Sequence, residues 1–131
     1  MIYLDTSAVA KLLIAEAETT SMRSYFAGDR RFISSRLLEV ELHAIADRRR
    51  LAAEPIREVL DQITLVSLDD ATLDSAISLH SGLRTLDALH LATATRLREV
   101  ITGILTFDAE LSSAASRLGI PAVEIDDPGH A

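Results

Sequence analysis

What most constrains this chain is the rhythm of its apolar residues. Short runs suited to strands alternate from end to end with longer stretches of helical period. Ile2-Tyr3-Leu4 reads as a first strand, followed by helices over about Ser7 to Ala15 and Thr19 to Ala27, the latter stopped at Gly28. A strand over Arg31 to Ser34 precedes a helix from about Leu37 to Leu51 and another that Pro55 opens and that runs to about Gln62. Thr64 to Ser67 forms a third strand. Helices then start at Asp69-Asp70 and at Thr85, the second reaching Val100. Ile104 to Phe107 is a fourth strand, Ala109 to Leu118 a helix with Gly119 and Pro121 as stops, and Ala122 to Ile125 a fifth strand. Strands separated by helices imply parallel crossovers, so the expected fold is α/β, helices layered on a parallel sheet. No repeat or linker interrupts the pattern, and 131 residues suit one domain, 1–131, with about 127–131 as a loose tail.

Sheets of this kind place ligands at the carboxyl ends of their strands. Several chemistries can be set aside before looking there. The five glycines stand far apart, which excludes the clustered glycines of a P-loop or a dinucleotide fingerprint. There is no Gly-x-Ser-x-Gly elbow, no His-Glu-x-x-His pair and no cysteine for a disulfide or a thiolate-bound metal. A net charge of −7 argues against a simple basic nucleic-acid binder. No apolar run approaches the roughly 18 residues a membrane span needs. Met1 to Asp5 lacks the basic start of a signal peptide, so a cytoplasmic protein without a membrane partner is expected.

What remains are acids in unusual places. Asp5 follows the first strand and Asp108 the fourth, where each could equally be a helix N-cap. Glu41 is sharper. At 100° per residue, Leu37, Leu38, Val40, Leu42, Ala44 and Ile45 make one apolar face with Glu41 near its middle, whereas Glu39 points away. A carboxylate in an apolar stripe is costly unless paired or metal-bound. Asp87 opens a helix whose apolar residues spread nearly all round, a pattern of burial, and it could also be only a dipole-favoured acid. His90, one turn on, is read as a hydrogen-bonded core histidine without a catalytic role. Four acids in one cleft would repel one another and raise their pKa values. A divalent cation relieves this, and all-oxygen ligands suit Mg²⁺ or Mn²⁺, which can activate water against a phosphodiester.

The segments Tyr3-Leu4-Asp5-Thr6-Ser7, Ser34-Ser35 through Val40-Glu41-Leu42, Leu86 through Ala94, and Leu105-Thr106-Phe107-Asp108 together resemble a PIN-domain ribonuclease of the VapC toxin type. The resemblance spans essentially the whole chain. It implies a three-layer fold with a central parallel sheet flanked by helices. It also implies a quartet of Asp5, Glu41, Asp87 and Asp108 around Mg²⁺ or Mn²⁺, with Thr6, Ser7 and Thr106 as supporting hydroxyls. The implied activity is Mg²⁺-dependent endonucleolytic cleavage of RNA by the toxin of a toxin–antitoxin pair, a homodimer restrained by a VapB-like antitoxin. Two other readings stand beside it: a non-catalytic PIN scaffold that binds RNA or protein, which the complete quartet disfavours, and a phosphohydrolase of small esters, which the missing Asp-x-Asp disfavours. Arg48, Arg49 and Arg50 are either a substrate grip or a solvated run at a helix end.

Overall fold

The computed structural model describes residues 1–14 and 17–125. The end of the first helix at Ala15 and the expected tail over 127–131 lie outside the described residues. In chain order the elements are β1 (Ile2–Leu4), α1 (Thr6–Leu13), α2 (Thr19–Phe26), β2 (Phe32–Ser35), α3 (Arg36–Arg49), α4 (Ala53–Leu60), β3 (Ile63–Val66), α5 (Asp70–Ser78), α6 (Thr85–Arg96), β4 (Gly103–Leu105) and α7 (Ala109–Arg117). The strands are all parallel and lie in the order β3-β2-β1-β4.

Alternation along each strand divides the molecule into two cores, because successive side chains leave a strand on opposite faces. Ile2, Leu4, Phe32 and Leu105 pack with α1 to α4 through Val9, Met22, Leu38, Leu42 and Ile56. Tyr3, Ile33 and Ile104 face the other way, onto Leu91 of α6 and Leu111 and Ala115 of α7. Both faces of the sheet are therefore covered, as an all-parallel sheet requires. The result is three layers, helix on sheet on helix. Among the described residues no helix is long and apolar enough to cross a membrane.

The chain passes from β1 outward to β2 and β3, then returns to place β4 on the other side of β1. Helix α1 leaves β1 on one face of the sheet and α7 leaves β4 on the other. Neighbouring strands whose following helices part in this way open a crevice at their carboxyl ends. That crevice is where Asp5 and Asp108 lie in sequence, just past β1 and β4.

Three expectations are corrected. The buried row of α3 is Leu38, Leu42 and Ala46, spaced i, i+4, i+8, and Val40 is 64% exposed. Two residues advance a helix by about 200°, so Leu38 and Val40 cannot share a face. Glu41 therefore flanks the apolar row instead of lying at its centre. The helix expected over Thr85 to Val100 ends at Arg96, with Arg84 as its N-cap residue and Val100 exposed. The fifth strand over Ala122 to Ile125 shrinks to one bridge, Ile104 to Ala122. Ile104 donates to the Pro121 carbonyl at 2.9 Å and accepts from Val123 at 2.8 Å, and Pro121 has no N–H with which to extend the ladder. The close pass depends on Gly103, where a Cβ would stand 2.7 Å from the Pro121 oxygen.

The reassigned face of α3 has a measurable consequence. Leu42→Ala should lower unfolding free energy by about 2–5 kcal/mol, as cavity-forming changes in a core do, while Val40→Ala should stay within about 0.5 kcal/mol. Urea titrations of both variants check this, and comparable losses at the two positions would restore the broader apolar face.

Candidate active site

Asp5 ends β1, caps α1 and is buried. Its Oδ1 accepts from the Ala8 amide at 3.2 Å, so it serves the helix as an N-cap. Capping does not exhaust it. Ser7 Oγ donates to Oδ1 at 2.8 Å and lies 3.0 Å from Oδ2, and Thr106 Oγ1 donates to Oδ2 at 2.7 Å. The same two hydroxyls tie the β4–α7 loop to the end of β1. Ser7 Oγ accepts from the Phe107 amide at 2.9 Å, and Thr106 Oγ1 accepts from the Asp108 amide at 3.0 Å. Asp108 in turn caps α7, its Oδ1 accepting from Leu111 at 3.0 Å. Two acids that could have been only caps are thereby held as neighbours across the crevice.

Glu41 comes in from α3, where Ser35 caps the helix by accepting from the Leu37 amide at 3.0 Å. The Glu41 side chain is 17% exposed. Its Oε1 accepts from Thr6 Oγ1 at 2.6 Å and lies 2.8 Å from His90 Nε2. Glu39, by contrast, pairs with Arg36 at 2.9 Å on the solvent side. Asp87 sits in the first turn of α6, three residues before His90. Thr6, Ser7 and Thr106 are thus each within hydrogen-bond reach of a carboxylate, Thr6 to Glu41 and the other two to Asp5.

The electrostatics couple Asp87 to the other three acids. Burial pushes the Asp5 carboxyl above the ordinary range, against the hydrogen bonds from Thr106 and Ser7 that would lower it. Asp87 is also raised, first by loss of solvent and then by the charges of Asp108 and Asp5, with His90 opposing and Glu41 adding to the rise. The field of all three other acids is felt at Asp87. Among the described residues, however, no three His, Asp or Glu side chains are disposed to hold a metal ion by themselves. Arg48, Arg49 and Arg50 are exposed at the far end of α3. They lie roughly 10–13 Å along the helix axis from Glu41.

His90 is buried, at 1% exposure, as expected of a core histidine. Beyond that, it joins the site to the sheet: Nδ1 is 2.7 Å from the Tyr3 hydroxyl, and Nε2 reaches Glu41 and lies 3.2 Å from Thr6 Oγ1. The signal for this was present in the sequence as a histidine one turn beyond Asp87, but its partners come from β1, α1 and α3.

A PIN-domain family model matches residues 2–117. The chain belongs to the PIN-domain family. Ribonuclease VapC46 of Mycobacterium tuberculosis is 37% identical over 124 residues, which cover 93% of this PIN domain and 95% of that protein. The crystal structure of VapC20 from the same species, a sarcin–ricin loop cleaving toxin, shares the fold with a TM-score of 0.70 at 20% identity over 87% of this chain and 95% of that one. A toxin–antitoxin complex from Klebsiella pneumoniae matches with a TM-score of 0.71 at 18% identity, covering 95% and 97%.

The raised acids of this PIN domain make its stability depend on pH in a stated direction. A carboxyl whose folded pKa lies above its unfolded value of 3.8 binds protons more readily when folded. Without divalent cations, Asp5 and Asp87 therefore favour the fold below pH 3.8 and lose that contribution as pH rises through their raised values. The melting temperature of Asp87→Asn should exceed that of the wild type by a few degrees at neutral pH, and the gap should close as pH falls toward 4. Calorimetry across that range is the check, and a gap that widens on acidification would contradict the assignment.

Proposed function

We propose that this PIN domain is an endoribonuclease, the toxin of a toxin–antitoxin pair, and that it hydrolyses RNA with a divalent cation held by Asp5, Glu41, Asp87 and Asp108. The observation that carries the reading is the hydrogen-bonded edge past β1 and β4, where Ser7 and Thr106 bind the buried Asp5 and fix the loop that leads into Asp108, while Thr6 of the same turn holds Glu41. Its VapC relatives, named as ribonucleases, support the same class of substrate. The donor set fits Mg²⁺ or Mn²⁺, since every candidate ligand atom is a carboxylate or hydroxyl oxygen. Mg²⁺ keeps several waters and takes one or two carboxylates directly, which four acids around one crevice could supply. When bound, such an ion lowers the pKa of a coordinated water and offsets charge on the phosphodiester.

The chain's own residues supply the positioning. Ser7 and Thr106 hold both oxygens of Asp5, so this buried carboxylate keeps one orientation while RNA binds and leaves. Thr6 and His90 hold Oε1 of Glu41. Asp87, which accepts no hydrogen bond among the described residues, is free to turn toward a cation or the attacking water. Capping by Asp5 and Asp108 places the positive ends of α1 and α7 beside the anionic substrate.

Two apolar surfaces suit the two expected protein partners. Between α5 and α6, Leu73, Ile77, Leu83 and Leu89 line an open groove, with Ile77 70% exposed. It would be covered by a second copy of the chain in a homodimer. Between α1, α2 and α4, Leu12, Leu13, Phe26 and Val59 line another groove. That groove lies at the C-terminal end of α1, roughly 10–12 Å along the helix axis from Asp5, so an antitoxin segment seated there would run on along α1 to bring a basic side chain to the acids, where an arginine fork pairs with carboxylate.

Cleavage of a structured RNA is the decisive experiment. The wild type should cut in Mg²⁺ and stop in excess chelator. Asp87→Asn should cut at least about 100-fold more slowly, the scale on which loss of one electrostatic contact to a transition state is felt. Wild-type rates from Asp87→Asn, or undiminished cleavage in chelator, would end the proposal. Ile77→Asp should shift the mass in solution from dimer to monomer, and an unchanged mass would remove the α5–α6 face from the dimer.

A further inference from the structure

We infer that Tyr3 and His90 form a positioning relay that orients Glu41, with the buried phenol donating to His90 Nδ1 and the Nε2–H it thereby sets donating to Glu41 Oε1. The inference rests on the cation reading above for its consequence and on geometry for its substance. The Tyr3 hydroxyl lies 2.7 Å from Nδ1, and Nε2 lies 2.8 Å from Oε1. Tyr3 and His90 are almost wholly inaccessible, so neither polar end can exchange its partner for water.

A neutral imidazole has one donor nitrogen and one acceptor, and the partner of one fixes the role of the other. Glu41 offers only acceptor oxygens when ionised, which calls for N–H at Nε2 and leaves Nδ1 to accept. The phenol meets that need. The Tyr3 phenol carries the O–H that Nδ1 can accept, and its other hydroxyl neighbours, Ser34 and Thr93, donate to the Leu4 and Leu89 carbonyls and not to the ring. Thr6 Oγ1 adds the second hydrogen bond to the same carboxylate oxygen at 2.6 Å. Oε1 is thus held by two donors from α1 and α6, and among the described residues no hydrogen bond reaches Oε2. The relay leaves Glu41 with one oxygen anchored and the other presented to the crevice.

Tyr3 is also a residue of the central strand, with its backbone paired to both β2 and β4. Its hydroxyl therefore starts from the most constrained part of the backbone. The relay carries that rigidity through His90 to a carboxylate on α3, a helix that packs on the opposite face of the sheet. Neither residue need touch RNA or cation, and both act through Glu41. Outer-shell partners of this kind typically govern metal affinity by 10- to 100-fold.

Titration with Mn²⁺ alone, followed by calorimetry without RNA, tests this apart from cleavage. Asparagine places its amide nitrogen near the position of Nδ1 and glutamine near that of Nε2, so the two substitutions separate the ends of the ring. His90→Asn and Tyr3→Phe should each weaken Mn²⁺ binding by roughly 10- to 100-fold, while His90→Gln, which keeps a donor facing Glu41, should stay nearer to wild type. Melting curves without metal verify that each variant is folded. Equal losses for His90→Asn and His90→Gln, or no loss in either, would overturn the relay. Ring ¹⁵N shifts of His90 in the wild type give a second readout, for which the relay requires N–H at Nε2 and a bare Nδ1. A ring protonated at Nδ1 would overturn it. If the wild type binds no Mn²⁺, the cation reading fails, and the relay is then judged on the tautomer alone.

Discussion

The structure turns on one carboxylate buried at the end of the central strand. Asp5 closes β1, caps α1 and is bound by hydroxyls from both sides of the crevice. An unpaired carboxylate in such a place would cost several kcal/mol of lost hydration. Here Ser7, Thr106 and the Ala8 amide offset part of that cost. They do not remove it, since burial still raises the Asp5 pKa. A fold that retains this arrangement is holding a charge that a cation or a basic side chain would stabilise further. Perturbed groups of this kind gather at functional sites more often than elsewhere.

Around Asp5, each link serves two levels of organisation. Ser7 and Thr106 orient a carboxylate and also close the β4–α7 loop, through bonds to the Phe107 and Asp108 amides. Thr6 belongs to the first turn of α1 and holds Glu41 on α3. Local capping and long-range assembly thus use the same few hydroxyls. A change at any of them is felt both in the helix ends and in the disposition of the acids, which makes their energetic contributions non-additive.

The two sheet faces divide the labour. Helices α1 to α4 pack on one face through an aliphatic core and bring Glu41. Helices α6 and α7 pack on the other and bring Asp87, in the first turn of α6, and Asp108, the N-cap of α7. At the carboxyl edge of the sheet, residues of both layers meet through polar side chains. Polar contacts there replace apolar ones: Tyr3 with His90, His90 with Glu41, and Thr106 with Asp5. The layers are joined by burial over most of their area and by hydrogen bonds at the site.

By itself the sequence determined the alternation of strands and helices, the parallel sheet that follows from it, and the candidate acids past β1 and β4. These are local properties, set by the period of apolar residues and by capping chemistry within a few positions. It also marked Asp87 and Glu41, although Glu41 flanks the buried row of α3 and does not lie at its centre. Hydrophobicity located an apolar side of α3 but could not choose among overlapping faces, and contact with the sheet selected Leu38, Leu42 and Ala46 while leaving Val40 outside. Ala122 to Ile125 had strand-like residues but found only one bridging position beside β4. The tertiary structure alone decided that His90 would stand between Tyr3 and Glu41, because those partners are 87 and 49 residues away along the chain. Sequence period governs which face of an element is buried; which distant polar atoms then meet depends on how three layers pack, and no local pattern carries that information.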